Sequence, residues 1–510
     1  MVGLLRFCLW QQAQYPLAVS SVRTSRKAVL LGGAYLPPTH PLLSNWKFRN
    51  VQWMVTTTRR RRRVRESRCG TVKEEEEEDS SSTAGVMGAS PIQLLLVSDL
   101  DSTMVDHTDP YHTALLRFNN LWAAEYAHNS LLVYSTGRSP HKYEELHQQV
   151  PLLTPSIGIF SVGTEILYGS SLEPDQGWVS LLDDGWDRGV ALKELQRFTN
   201  LRMQDASEQR PHKISCQVDS KDAQDIMKKL SERLQDCGLK VKIVFSHGID
   251  LDVLPQRAGK GEALAYLLQK MRSKGQIPQN TLVCGDSGND IELFLVEGVR
   301  GVIVGNALPE LVEWYKEHGK NKDKIFQATE RCASGILQSL QHFSLGPHLS
   351  PRDRMGLNGI DSPILPSESR NGRPAMHGCA QREVVEFNTL FEKWINAEVP
   401  NNAETFQRLT RVIARGSTMV YPWGVEQSLV DSVSSAQPKY GIMKDNKLRT
   451  WIDCIQEQKL ADEIFLVTWH SWQISAGGEK KGYFATAILR TKEGMPNGVE
   501  WVRVHETARK

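Results

Sequence analysis

Two carboxylates one residue apart, Asp99 and Asp101, close the apolar run Leu94-Leu-Leu-Val-Ser98. Residues i and i+2 of a strand share a face, so both acids would crowd one small volume. Such a pair persists where a cation lies between the carboxylates or one of them holds a proton. Three further stretches follow in order. Ser135-Thr-Gly-Arg138 ends the apolar Leu131–Tyr134, Lys260 opens a helical pattern in "AGKGEALAYLL", and Gly285-Asp-Ser-Gly-Asn-Asp290 ends Thr281-Leu-Val-Cys284. Singly, T-G-R reads as a turn into a helix and a lysine at a helix start as solvated. Together, at successive strand ends, they have the parts for phosphoryl transfer to a carboxylate. A carboxylate nucleophile approaching a phosphate needs a divalent cation to offset the repulsion, and hard oxygen ligands suit Mg²⁺. A second acid two residues on can protonate the departing alcohol and then deprotonate water. A hydroxyl, a backbone N–H and an ammonium can hold the phosphate oxygens. Asp99, Asp101, Thr136, Gly137, Lys260 and Asp286 supply these groups.

The elements that would position them are strands alternating with helices. Strands are expected at 92–98, 131–135, 281–285 and 301–304, and helices at 113–126, 141–148, 260–273 and 290–296. This alternation implies an α/β, Rossmann-like parallel sheet covered on both faces, with ligands beyond the carboxyl ends of its strands. Between 165 and 258 the texture changes: 212–218 and 239–254 alternate like half-buried strands around a helix at 220–237, an inserted α/β cap. Residues 346–380, rich in Gly, Pro and Ser, read as a linker. From 381 to 510, six tryptophans and alternating runs such as "EIFLVTWHSWQIS" indicate a second, α+β domain with a strongly bent antiparallel sheet. The phosphatase domain is thus expected at 91–345.

Residues 1–90 carry charge blocks, Arg59–Arg63 and Glu74–Glu78, and are expected to be disordered. An Arg-rich, acid-poor start suits an organelle transit peptide; the rival reading is a misassigned start, with Met54 and Met87 as internal alternatives. Twelve of the 61 Lys and Arg precede Glu66, leaving 49 basic against 59 acidic residues beyond it. No global charge attracts nucleic acid, so an anion site must be local. Eight cysteines without a C-x-x-C indicate a reducing compartment, hence a cytoplasmic protein unless the leader directs it elsewhere. No apolar stretch approaches the ~20 residues that span a bilayer.

The order D-L-D-x-T, S-T-G-R, A-x-K-G and G-D-S-G-N-D resembles the haloacid dehalogenase superfamily of phosphatases, in the branch whose cap lies between the second and third motifs. Within it, "VSDLDSTMVDHTDP", "EQRPHKIS", "NTLVCGDSGNDIELF" and "GPHLSPRD" resemble the plant sucrose-phosphate phosphatases from about Ile92 to the C-terminus. The resemblance implies that Asp99 forms an aspartyl-phosphate and Asp101 is the general acid/base. It implies that Thr136, Gly137, Lys260 and Asn289 bind phosphate. The Mg²⁺ site would be Asp99, Asp286 and the carbonyl of Asp101, with Asp290 supporting. Ser102 and His247 depart from the family pattern, the latter where a second glycine is usual.

The implied substrate is sucrose 6-phosphate. Arg138, Gln209, His212 and Lys213, with Glu208, are candidates for contacting it; on residue chemistry alone the cap residues equally suit a solvated strand edge. The implied C-terminal domain is cone-shaped, like nuclear transport factors, with tryptophans mainly in its core and a role in homodimerisation or partner contact. The alternatives are a phosphatase for another sugar phosphate, or a catalytically idle partner of the sucrose-phosphate synthase.

Overall fold

The computed structural model describes residues 91–246, 248–318, 323–354, 378–475 and 480–509. The expectations for residues 1–90, for His247 and for linker positions 355–377 fall outside them. The central strand β1 (Leu94–Ser98) is buried throughout. Leu94 and Leu96 join the apolar cluster on one face of the sheet, and Leu95 and Val97 join the cluster on the other. A strand covered on both sides needs such a continuous apolar run. On either side, β1 pairs in parallel with β2 (Leu131–Ser135) and β10 (Asn280–Gly285), Ser98 lying opposite Tyr134 and Cys284. The three strands therefore end level, which brings the three sequence motifs side by side.

The sheet continues from β10 to β11 (Arg300–Ile303) and β12 (Ile325–Gln327), and from β2 to β3 (Ile157–Phe160), all parallel. Two antiparallel strands, β4 (Glu165–Tyr168) and β5 (Glu173–Pro174), finish it. Residues 165–174 thus belong to the core sheet rather than the cap, and the helix Gln176–Leu182 buries Trp178 and Leu182 against it. The cap has its own four-stranded antiparallel sheet, ordered β6 (Arg202–Met203), β7 (Ile214–Gln217), β9 (Asp250–Pro255), β8 (Val241–Ser246). Helices Arg188–Leu195 and Ser220–Asp236 cover one face. The cap boundary at 165 is therefore too early: β4 and β5 are short antiparallel edge strands without a long apolar run to mark them as core.

The expected helix at 113–126 forms as an α-helix over Thr113–Leu121 that widens into a π-turn over Trp122–Tyr126. Against that turn packs the helix Cys379–Ile395 of the C-terminal domain, and Ala123 and Ala124 lie in that domain's apolar cluster. The domain's sheet runs β14 (Glu426–Ser428), β13 (Ile413–Val420), β18 (Val499–Ala508), β17 (Lys481–Thr491), β16 (Ile464–Ser475), β15 (Leu448–Ala461). The register of β15 against β16 slips between Asp453 and Gln456, where Cys454 adopts a left-handed φ of 50°. A bulge of this kind bends a long strand. Trp394, Trp451, Trp469 and Trp501 are fully buried, as expected for core tryptophans.

Polar contacts fix the two domains. Arg382 donates to both oxygens of Glu125 at 3.0 and 2.7 Å, and Thr154 donates from N and Oγ1 to Asp453. Arg352 donates to both oxygens of Glu392, each at 2.8 Å. Removing one partner of a buried ion pair leaves an uncompensated charge, which typically costs about 3–5 kcal/mol. Arg382→Ala is expected to lower stability by ~3 kcal/mol, read as a drop in the urea midpoint. An unchanged midpoint would show that the pair is dispensable.

Candidate active site

Level strand ends place Asp99, Thr136 and Asp286 around one cavity of about 480 Å³ at the carboxyl edge of the sheet. Lys260 arrives from the other direction, as the first residue of the helix Lys260–Ser273 that returns from the cap. Its seat depends on glycine. Gly259 has φ 150°, and a Cβ there would lie 2.3 Å from Glu292; a Cβ on Gly163 would lie 2.2 Å from the Gly259 carbonyl oxygen. The two backbones touch, and this contact sets the start of the helix against the core.

Lys260 is fully buried, with Nζ donating to Asp290 Oδ1 and Asn289 Oδ1 at 2.8 Å each, and lying 3.3 Å from Asp99 Oδ1. The other oxygen of Asp290 accepts from the N–H groups of Asp286 and Ser287 at 3.0 and 3.2 Å. Asp290 therefore folds back over Gly285, where a Cβ would lie 2.4 Å from the Asp290 Cβ. Its carboxylate is committed to holding the loop and the lysine. Thr103 donates to Asp286 Oδ1 at 2.8 Å, and the N–H of Leu100 donates to Asp99 Oδ1 at 2.8 Å.

Carboxylate oxygens of Asp99, Asp286 and Asp290 lie within 4.8 Å of one another. Burial pushes the Asp99 carboxyl well above its usual range; Lys260 opposes the shift, and Asp290, Asp286 and Asp101 reinforce it. Burial, helped by Asp290, pushes Asp286 up to about 6. Burial would lower Lys260, but Asp290 and Asp99 outweigh it and hold the ammonium charged. Three buried acids thus face one ammonium. The excess negative charge and the hard oxygen donors fit a divalent cation held by Asp99 and Asp286, with Asp290 behind them.

Asp101 takes a different part. Arg138 donates to both of its oxygens, Nε to Oδ2 at 2.6 Å and Nη2 to Oδ1 at 2.7 Å, and His107 Nε2 lies 2.7 Å from Oδ1. Burial would raise Asp101, but the bonds and charge of Arg138, with those of His107, hold it below the ordinary carboxylate range. Arg138 lines the cavity but is paired with the second acid here. Thr136 and Gly137 line the cavity, and a Cβ on Gly137 would meet nothing closer than Val162 at 3.9 Å. The loop is clamped from behind, Thr136 N donating to Ile159 O and Ser161 N to Arg138 O, both at 2.8 Å.

The cap wall is polar. Lys213 Nζ lies 2.8 Å from Glu208 and 3.8 Å from Asp252, and donates to the Gly137 carbonyl at 3.4 Å. Ser215 donates to Asp252, Gln204 donates to Asp250 at 2.8 Å, and Ser139 of the core donates to Glu208 at 3.0 Å. Burial raises Asp252 while Lys213 opposes. Two sequence candidates are absent from this wall. Gln209 Nε2 donates to the Ser215 carbonyl at 2.7 Å and braces the chain before β7, and buried His212 pairs with Asp183 at 2.8 Å. In "EQRPHKIS" the residues that reach the cavity are Glu208, Lys213 and Ser215. Gln204, Asp250 and Asp252 were missed. The alternation of β9 could have found the last two, since Asp250 and Asp252 share a face.

Asp99 is a strained carboxylate whose neutral form the site favours, and an amide has the same shape. Without divalent cation, Asp99→Asn is expected to unfold at a temperature no lower than the parent's. Lys260→Met strands Asp99 and Asp290 and is expected to cost ~3 kcal/mol or more. Calorimetric melting in EDTA checks both, and equal losses in the two variants would contradict this electrostatic account.

Two family models match the chain: sucrose-6F-phosphate phosphohydrolase over residues 92–344 and the C-terminal domain of sucrose-6-phosphate phosphohydrolase over 380–510. Sucrose-phosphatase 1 of Nicotiana tabacum is 46% identical over 82% of this chain and 95% of its own length. Probable sucrose-phosphatase 2 of Arabidopsis thaliana is 45% identical over the same shares. Among solved structures, the sucrose-phosphatase of Synechocystis sp. PCC6803, in complex with sucrose and phosphate, is 39% identical over 49% of this chain and 98% of its own, with a TM-score of 0.44. With both of its domains matched and nearly half of its residues shared over this span, the chain belongs to the sucrose-phosphatase family.

Proposed function

We propose that this protein hydrolyses sucrose 6-phosphate to sucrose and phosphate, with Mg²⁺ held by Asp99 and Asp286. The observation that carries the reading is the convergence of Asp99, Thr136 and Asp286 on one cavity whose opposite wall is the polar face of the cap, with the Lys260 ammonium buried 3.3 Å behind Asp99. Bound Mg²⁺ supplies charge neutralisation between nucleophile and phosphate. Asp99 attacks phosphorus in line with the sugar oxygen, forming the aspartyl-phosphate as the P–O bond to sugar breaks. The Thr136 hydroxyl, the Gly137 N–H and the Lys260 ammonium hold the phosphoryl oxygens as charge spreads over them.

Asp101 must give a proton to the leaving alkoxide, which its ion pair with Arg138 opposes. Arg138 therefore has to leave Asp101 when substrate enters, and the incoming phosphate offers it a stronger anion. Freed of the guanidinium, Asp101 recovers a higher pKa, protonates the sugar oxygen, and afterwards removes a proton from the water that cleaves the aspartyl-phosphate. On the cap, Lys213, Ser215, Asp250 and Asp252 offer donors and acceptors in the mixture that vicinal sugar hydroxyls need.

The C-terminal domain is assigned a role in self-association or in contact with the sucrose-phosphate-forming synthase. Sedimentation of the full chain as a monomer at all concentrations, with no shift on adding the synthase, would remove that assignment.

Phosphate release is expected from sucrose 6-phosphate with Mg²⁺, is lost in EDTA, and is at least tenfold slower in kcat/KM for other hexose phosphates. No release from that substrate would overturn the proposal. Asp252→Asn is expected to raise KM for sucrose 6-phosphate by about tenfold, roughly one charge-assisted hydrogen bond. Hydrolysis of p-nitrophenyl phosphate, which lacks the sugar, should be unchanged. A parallel loss on both substrates would place Asp252 in the fold rather than in sugar recognition.

A further inference from the structure

A second cavity, of about 830 Å³, lies between the helix Pro140–Gln149 of the phosphatase domain and the β16–β17 hairpin of the C-terminal domain. Two cations project into it, and the one acid that acts on Lys480 from nearby, Asp453, makes no direct ion pair with either. Lys480 Nζ lies 4.4 Å from the centre of the Trp472 ring and 5.0 Å from that of Trp451, and the Arg509 guanidinium lies 4.8 Å from Trp472. Among the described residues neither cation has a carboxylate within ion-pair distance; Lys480 donates only to the His147 carbonyl, at 2.5 Å. The nearby Asp453 accepts from Thr154 and from its neighbour's N–H, and its charge offsets part of that of Lys480 without a direct contact. Glu144, on the exposed surface of the helix, also lines the cavity without meeting either cation. Lys481, exposed, also lines the cavity.

The walls are rigid and partly unsatisfied. Trp451 and Trp472 are cross-strand partners whose rings stack at 6.1 Å, and Gly482 leaves room for the Trp472 ring, which would lie 2.7 Å from a Cβ there. Trp472 Nε1, His147 Nε2 and His470 Nδ1 are buried atoms with no hydrogen-bond partner among the described residues. Burial, with the charges of Lys480 and Arg509, drops His147 to about 3; burial lowers Lys480 to about 8, opposed by Asp453 and reinforced by Arg509. Two like charges held together in a half-buried site cost free energy that a bound anion would return. Beside them, Phe484 is 45% exposed and presents an apolar ring at the edge of the same space.

From this arrangement we infer that the interdomain cavity is a second ligand site, for a phosphorylated sugar. Its phosphate lies between Lys480, Arg509 and Lys481, and its ring lies against Phe484 and Trp472. A dianion matches the three cations, and the planar guanidinium suits two phosphate oxygens at once. An apolar aromatic face beside polar donors is what the faces and hydroxyls of a sugar ring require. The site shares no residue with the catalytic cavity, so it stands or falls independently of the proposed hydrolysis.

The test uses the full chain carrying Asp99→Asn, so that ligand is not consumed, titrated calorimetrically with fructose 6-phosphate. Adding Lys480→Ala and Arg509→Ala is expected to remove one binding site per chain. Lys481→Glu, which alters an exposed side chain and leaves the buried rings in place, is expected to weaken that site by tenfold or more. Inorganic phosphate should compete for it, and sucrose alone should not. Identical isotherms in the parent, the double variant and Lys481→Glu would overturn the proposal, as would displacement by sucrose without phosphate.

Discussion

Everything in the catalytic half depends on one electrostatic imbalance: three buried carboxylates around a single buried ammonium. Such a group is unfavourable in isolation, because each charge loses its hydration and the acids repel one another. It persists because the sheet gives its members no alternative. Asp99 and Asp286 follow strands that pair residue for residue and end level, while Asp290 is locked by the N–H groups of Asp286 and Ser287. Lys260 is brought in by a helix whose first turn cannot shift without separating Gly163 from Gly259. The local structure is rigid so that the charge arrangement can remain unrelieved. A divalent cation is then drawn in by the negative charge the fold leaves uncompensated.

The two acids that open the first motif differ through their partners, not their spacing. Asp99 sees burial and other acids, and Asp101 sees Arg138 and His107. The arginine follows Thr136 and Gly137 directly, so the loop that offers a hydroxyl and an N–H to phosphate also carries the side chain that restrains the second acid. A ligand that attracts Arg138 changes the state of Asp101 in the same event. In the proposed mechanism, substrate binding and the readiness of Asp101 as general acid are coupled through one side chain.

Much of this was legible in the sequence because each core motif is contiguous and lies at the end of a strongly apolar run. The helix at 260–273 and the strand at 131–135 agree with the structure to the residue, since their apolar spacing is uninterrupted. The cap was harder. Its ligand-facing wall is assembled from three separated pieces, Gln204, Lys213–Ser215 and Asp250–Asp252, and no single stretch reveals that they meet. Gln209 and His212 have suitable chemistry but are turned to Ser215 and Asp183, an orientation set by the turn at Arg210–Lys213. Arg138 was expected at the substrate, whereas its partner is Asp101, because the level ends of β1 and β2 set the two loops within reach of each other.

The C-terminal domain is not a passive appendage on this account. Its helix Cys379–Ile395 closes over Ala123 and Ala124, small residues at the π-turn that let another backbone come close, and its Asp453 caps the Thr154 N–H ahead of β3. The helix Pro140–Gln149 then joins the two halves of the molecule. Its N-cap Ser139 adjoins Arg138 and touches Glu208 of the cap, and its last turn places His147 under Lys480. Ten residues of α-helix span about 15 Å, and a helix of that length moves as a unit when held at both ends. One helix thus carries contacts to the β16–β17 hairpin at one end and to the cap at the other. The loop carrying Thr136 and Gly137 is held by its backbone bonds to Ile159 and Ser161.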